Sequence, residues 1–325
     1  MAIREDKKAN ENRTIFRKYA DARKDWDINA REAIDFTLGN HYTQDESEAL
    51  QSIGQADFTI DRIYAAIDKL KSLMTSRPVR YGITAREDSD TKLANVWKTL
   101  LEYIFDISDG QHHFKQAVHD YATTGLGYFY AYIEPEADYG RGEVMFTHLN
   151  PFRVYVDPAS RDRYFQDAAS IILSTILTEE QVLNLYPDVE PFLKDIETYS
   201  VQDQYDDFPN SANKNTNKVF TPAEVDSKDY DMSITRRYRI LERFSKVKVP
   251  FFRVADTVEE SEQIMDAETF AVFLENNAEK IESNIYTYVE IPQTRIKLTA
   301  SLGQVLLDET ILDTDTYPIV PIPNI

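Results

Sequence analysis

Apolar residues recur every three or four positions through residue 123, and in short alternating or unbroken runs after it. Ile15, Phe16, Tyr19, Trp26, Ala30, Ala33 and Ile34 mark a long helix over 3–37, with neither Gly nor Pro inside it. A polar connection, 38–57, leads to a second helix over 60–76. It carries Ile63, Tyr64, Ile67, Leu70, Leu73 and Met74 and stops before Pro78. Val79–Thr84 alternates like a strand. Leu93, Val96, Trp97, Leu100, Leu101, Ile104 and Phe105 give one side to a helix over 88–107, and another helix follows over 111–123.

From there strands are predicted at 128–133, 144–149, 153–156 and 168–177, with Gly140 and Gly142 marking a hairpin turn. Thr178 and Gln181 read as a capping box that opens a helix ending near Tyr186–Pro187. Residues 199–232 are rich in Asp and Asn and poor in aliphatics, so an exposed insertion is expected. Strands return at 234–245 and 247–254, then an acidic helical stretch at 256–282, with Asp266 suited to an N-cap. The remainder reads as strands at 285–291, 294–300, 304–308 and 317–323. The fold class is α+β. The apolar end, PIVPIPNI, reads as a segment that continues into more protein.

Charge changes this picture. The chain carries a formal net charge of −20 over 325 residues. Residues 1–100 are balanced, with 17 basic and 17 acidic side chains, so the whole excess lies beyond them. Such a chain repels nucleic acid through its bulk field. One local exception is 62–80, with five basic residues and one acid. The basic N-terminal helix reads either as a solvated polar face or as an arm for an acidic neighbour. There are no cysteines, which excludes disulfides, thiolate metal sites and cysteine nucleophiles and suits a reducing compartment. No apolar run is long enough to span a membrane, and the first residues lack a secretory apolar core.

Catalytic chemistry finds little support. Neither Gly125/Gly127 nor Gly140/Gly142 is followed by the Lys-Ser/Thr of a phosphate-binding loop. His112 and His119 lie seven apart on one helix, wider than the three or four that zinc favours, and read as structural or surface residues. Glu87, Asp88 and Asp90 suit a helix N-terminus better than a metal cluster. No serine sits in a GxSxG turn.

Four segments, in their order, resemble the portal protein of short-tailed double-stranded DNA phages. They are SRPVRYGITAREDSDTKLANVWKTLL, HDYATTGLGYFYAYIE, LNPFRVYVDPASRDRYFQDAASIILSTILTEEQVLNLYP and YPIVPIPN. Members of that family are longer than this chain. The resemblance implies a helix-rich wing domain with a mixed β-sheet over 1–255, then acidic stem helices and a β-rich clip region over 256–325. It implies a ring, typically of twelve copies, at one capsid vertex of the virion, assembled in the host cytoplasm. Terminase, the major capsid protein and tail or adaptor proteins are the implied partners, with double-stranded DNA passing through non-specifically. No active site, cofactor, metal or membrane contact is implied.

On this reading Glu259, Glu260, Glu262, Asp266, Glu268, Glu275, Glu279 and Glu282 are candidates for the channel lining. Acids there would keep the duplex from adhering. Tyr286, Tyr288, Ile291, Ile296 and Leu298, with Leu302, Leu306 and Leu307 beyond them, are candidates for a subunit interface, since short strands offer little core of their own. Two other classes stay open: a metal-dependent nuclease using scattered carboxylates, and a monomeric interaction module.

Overall fold

The computed structural model describes residues 4–85, 90–196, 198, 236–256, 261–277 and 285–322. The insertion expected at 199–232 lies outside the described residues, as do Glu87, Asp88, Glu259, Glu260, Glu279 and Glu282.

The helical first part is α1 (Lys7–Thr37), α2 (Gln44–Ser52), α3 (Ile63–Met74), α4 (Thr91–Ile107) and α5 (Gly110–Thr124). α2 falls in the expected polar connection. Its start is a full capping box, with Thr43 and Glu46 bonding reciprocally. Val79–Thr84 is not a strand; its alternation serves to place Tyr81 against Phe105, ring centroids 5.9 Å apart.

Two sheets follow, and every strand pair among the described residues is antiparallel, where a mixed sheet is expected. The smaller has β2 (Tyr128–Glu134) between β3 (Glu143–Leu149) and β10 (Ile319–Pro321). The larger runs β1 (Arg4–Glu5), β9 (Val305–Leu312), β8 (Tyr286–Leu302), β6 (Arg237–Asp256), β5 (Ser170–Thr178), β4 (Val154–Val156). β7 (Ser261–Asp266) pairs with the far half of β6. A helix, α6 (Glu179–Leu185), leaves β5 through the predicted capping box, Thr178 Oγ1 accepting from the Gln181 N–H.

β5 shows why its sequence is an unbroken apolar run. Ile171 and Leu173 face the small sheet, joining Tyr128, Leu149, Phe244, Ile296, Tyr317 and Ile319 in the main core. Ile172 points the other way, under Tyr19 of α1. A strand covered on both faces cannot alternate apolar with polar. α1 is therefore no free arm. Asn12 donates to the Thr299 carbonyl at 3.2 Å, Tyr19 and Ser170 hydroxyls bond at 2.9 Å, and Trp26 Nε1 donates to the Thr124 carbonyl at 3.0 Å. Lys8 pairs with Glu309, which Lys297 also holds. Those two hydrogen bonds, Lys297 first, keep the Glu309 carboxyl below the usual range.

Arg23 fastens α1 to the β4 entry. Its guanidinium donates to the carbonyls of Pro151 (3.1 Å), Phe152 (2.7 Å) and Val154, pairs with Asp27 at 2.9 Å, and lies 3.7 Å from the Tyr155 ring centroid.

The Gly-Leu-Gly turn after α5 has a steric cause. Gly125 takes φ +79° to end the helix. A Cβ on Gly127 would stand 2.4 Å from the Ala117 carbonyl oxygen. In the following loop, Asp157 accepts from the Ala159 and Ala169 N–H groups (3.0 and 3.1 Å). Asp167 accepts from Ser160 and from the Arg161 and Asp162 N–H groups, which lowers its pKa. These carboxylates fold a loop rather than perform chemistry.

The division expected at residue 255 falls inside β6, which pairs with β8 without a break from Ile240 to Asp256. The acidic stretch is not one helix. Among its described residues, only Ala267–Asn276 (α7) is helical. Ser261–Asp266 is instead a strand, because Met265 pairs opposite Phe252 and buries against Phe270 and Val254.

Candidate assembly surfaces

α3 and α4 read as core helices, yet neither contains a buried residue. α3 leans on α5 and α1, and α4 on β3 and α5. Phe105 stacks towards Phe146 at 5.5 Å, and Tyr103 donates to Glu143 at 2.7 Å. Much of the apolar stripe is left in solvent: Leu73 is 73% exposed, Trp97 51%, with Leu93, Val96, Leu100, Tyr64 and Leu70 also exposed. Apolar helix faces left this exposed are candidates for an interaction surface. Amphipathic spacing reveals that a helix has an apolar face but not what covers it.

The second surface is the far end of the β6–β8 ribbon. Ten register pairs, from Val247↔Arg295 to Asp256↔Tyr286, continue beyond the last β5 and β9 partners. β7 and α7 close over this end with a small core of their own. Phe252 stacks on Phe270 at 4.0 Å, Phe270 meets Tyr288 at 4.9 Å, and Phe273 meets Tyr286 at 5.1 Å. Asp266 caps α7, accepting from the Thr269 N–H at 2.8 Å. Its hydrogen bonds to Thr269 lower its pKa.

The acidic candidates therefore divide. Glu262 stands on β7, 3.9 Å from Arg253. Asp266 is occupied as the cap, and Glu268 and Glu275 are exposed on α7. The expected interface residues divide as well. Ile296 is fully buried and Leu298 partly so, both in the main core, and Leu302, Leu306 and Leu307 are buried too. The partner surface these residues were expected to need is supplied by β5, β6, β9 and α6 of the same chain. Ile291 and Tyr286 are half-buried in the ribbon, and Tyr288 is 48% exposed.

The titratable groups do not converge. Among the described residues no three His, Asp or Glu come together in a way that could hold a metal ion. His148 Nε2 bonds Asp120 at 2.5 Å, tying β3 to α5. Burial lowers the pKa of the neighbouring His119. His113 bonds Gln116 at 3.3 Å, and His112 lies edge-on to it. Among the described residues no helix is long and apolar enough to cross a membrane.

Burial raises the pKa of Glu242, with the Arg153 charge acting in the opposite direction. The folded state thus favours the protonated form. Stability falls as pH rises from the ordinary value of 4.5 through the raised folded-state value. Glu242→Gln is expected to stabilise the chain near pH 8 and to lose that advantage near pH 4, read as urea midpoints at about those two pH values.

The model of the phage P22-like portal protein family matches residues 13–324. The chain belongs to this family. The match spans α1 from residue 13, both sheets apart from β1, and the ribbon. Portal proteins are structural components of the phage virion rather than enzymes, and they act as oligomeric rings. A search of curated proteins gives no match.

Proposed function

We propose that this chain forms a ring, of twelve copies, at one capsid vertex. Its axis carries double-stranded DNA into the head during packaging and out during ejection. Terminase docks on the ring while the head fills, and tail or adaptor proteins take its place afterwards. The single observation that carries this reading is the family match over 13–324. The exposed faces of α3 and α4 support it, because a lone subunit would leave them wet. The net charge of −20 suits a conduit, since a basic tunnel would hold phosphates that must keep moving. DNA contact on this reading is loose and independent of base sequence.

The test is solution mass with negative-stain imaging of the purified chain, concentrated from micromolar upward. Rings with a central hole are expected. A species that stays monomeric at every concentration would overturn the proposal. A divalent-metal titration separates the nuclease reading: ring formation without metal and no cleavage of DNA with it are the outcomes expected of a portal.

A further inference from the structure

Two exposed helix faces carry matching patterns of opposite sign. On α7, Glu268, Val272 and Glu275 fall at i, i+4 and i+7, so they share one face. All three are exposed, Val272 at 57%. On α3 and its N-cap, Arg62, Ala66, Lys69 and Leu73 share one face at i, i+4, i+7 and i+11. All four are exposed. Each pattern places two like charges seven residues apart, about 10.5 Å along a helix, with an apolar side chain between them. Arg62, Lys69, Glu268 and Glu275 take part in no ion pair among the described residues. The one acid on α3, Asp68, is occupied by Lys71 at 2.9 Å.

We infer that α7 of one copy docks along α3 of a second copy of this chain, with Glu268 and Glu275 on Arg62 and Lys69, and Val272 against Ala66. This rests on the ring reading and names the surfaces that would close the ring.

Three observations select a second copy as the occupant. The charge spacings match. The chain is strongly acidic, so two copies repel one another in most orientations. Residues 62–80, with five bases and one acid, are the place where an acidic tip is attracted instead. The ribbon also has reach: α7 starts after Asp266, which pairs opposite Phe251, six residues and roughly 20 Å beyond Ser245, the last β6 residue paired with β5. The two faces are different patches of one molecule, so their contact is head-to-tail, the kind that closes into rings. The charges would steer and orient the encounter, while Val272 and Ala66 would supply the dry centre.

The chain has no cysteine, which makes the test clean. Arg62→Glu with Lys69→Glu, and separately Glu268→Lys with Glu275→Lys, are each expected to slow ring assembly at least about tenfold at low salt. All four substitutions in one chain are expected to restore it to within about threefold, a rescue that damage to folding would not give. Ala66→Cys and Val272→Cys, mixed as two single variants and treated with a short bis-maleimide, are expected to give dimers and nothing larger. The two substitutions in one chain should give a ladder of higher species. A wild type that never forms rings overturns the ring reading and this contact together. Wild-type rings with both reversals inert, or a rescue variant as defective as either parent, overturn the contact alone. So do intact rings from the Glu268→Lys, Glu275→Lys variant that pass DNA at an altered rate, which would assign these acids to the DNA path instead.

Discussion

Ile296→Asp is expected to leave no folded chain at room temperature. The side chain is fully buried between the two sheets, among Phe244, Ile171, Ile319 and Tyr317. Its backbone is also fixed, opposite Lys246 on one side and Leu312 on the other. Replacing it removes packing that costs about 2–5 kcal/mol when an isoleucine is truncated. It also buries a carboxylate whose nearest cation, the cross-strand Lys246, is already committed to the Gln166 carbonyl, which adds at least a few kcal/mol more. The sum is comparable to the 5–15 kcal/mol by which a typical domain is stable. Loss of soluble expression and of the far-ultraviolet circular dichroism signal is the readout. Tyr288→Asp is the contrast: half exposed on the ribbon, it forfeits one ring contact with Phe270 and is expected to cost about 1 kcal/mol.

Arg23→Ala is expected to lower stability by about 3 kcal/mol. The guanidinium satisfies three carbonyls, of Pro151, Phe152 and Val154, and holds Asp27 in a largely buried site. Removal leaves those acceptors unpaired and takes away the cation facing the Tyr155 ring. Arg23→Lys should recover less than half of the loss, because a single ammonium cannot span the planar fork. Urea unfolding gives the magnitude. Hydrogen exchange gives the location, with faster exchange expected first over 151–156, where α1 is clamped.

The helices and strands up to Leu185 were legible because local rules decide them. α5 ends where Gly125 permits a left-handed backbone, and α6 begins where Thr178 and Gln181 cap it. α2 was missed inside a stretch that reads as polar connection, although Thr43 and Glu46 form the same kind of box. Beyond residue 236 local rules mislead. Pro292 argues for two short strands, yet β8 runs through it, because Pro292 stands opposite Pro250 on β6. Both missing N–H groups thus fall on the same rung of the ladder. Glu262 and its neighbours look helical by charge and composition, but pairing with β6 decides that Ser261–Asp266 is extended.

The candidate site was less legible than the fold, for a related reason. Ile296 and Leu302 look like short-strand residues in need of a partner. Their partners, Phe244 and Ile240 on β6, lie more than fifty positions away and come from the same chain. Trp97 and Leu73 look like core residues, and only the packing reveals that the described residues leave them half or more exposed. Periodicity carries the direction of a face, and tertiary structure alone decides what that face meets.

The way the large sheet closes has a consequence for synthesis. β1 pairs with β9, Arg4 opposite Leu306, and Asn12 of α1 bonds Thr299. The first helix made therefore rests on the last strands made. At about 5–20 residues per second, a ribosome needs on the order of 15–60 s between them. During that interval Ile15, Phe16 and Tyr19 have only part of their eventual cover, and β6 has no β8. Contacts this distant in sequence form slowly, so the nascent chain would be a natural client for a holdase, and fragments released before residue 296 should aggregate rather than fold.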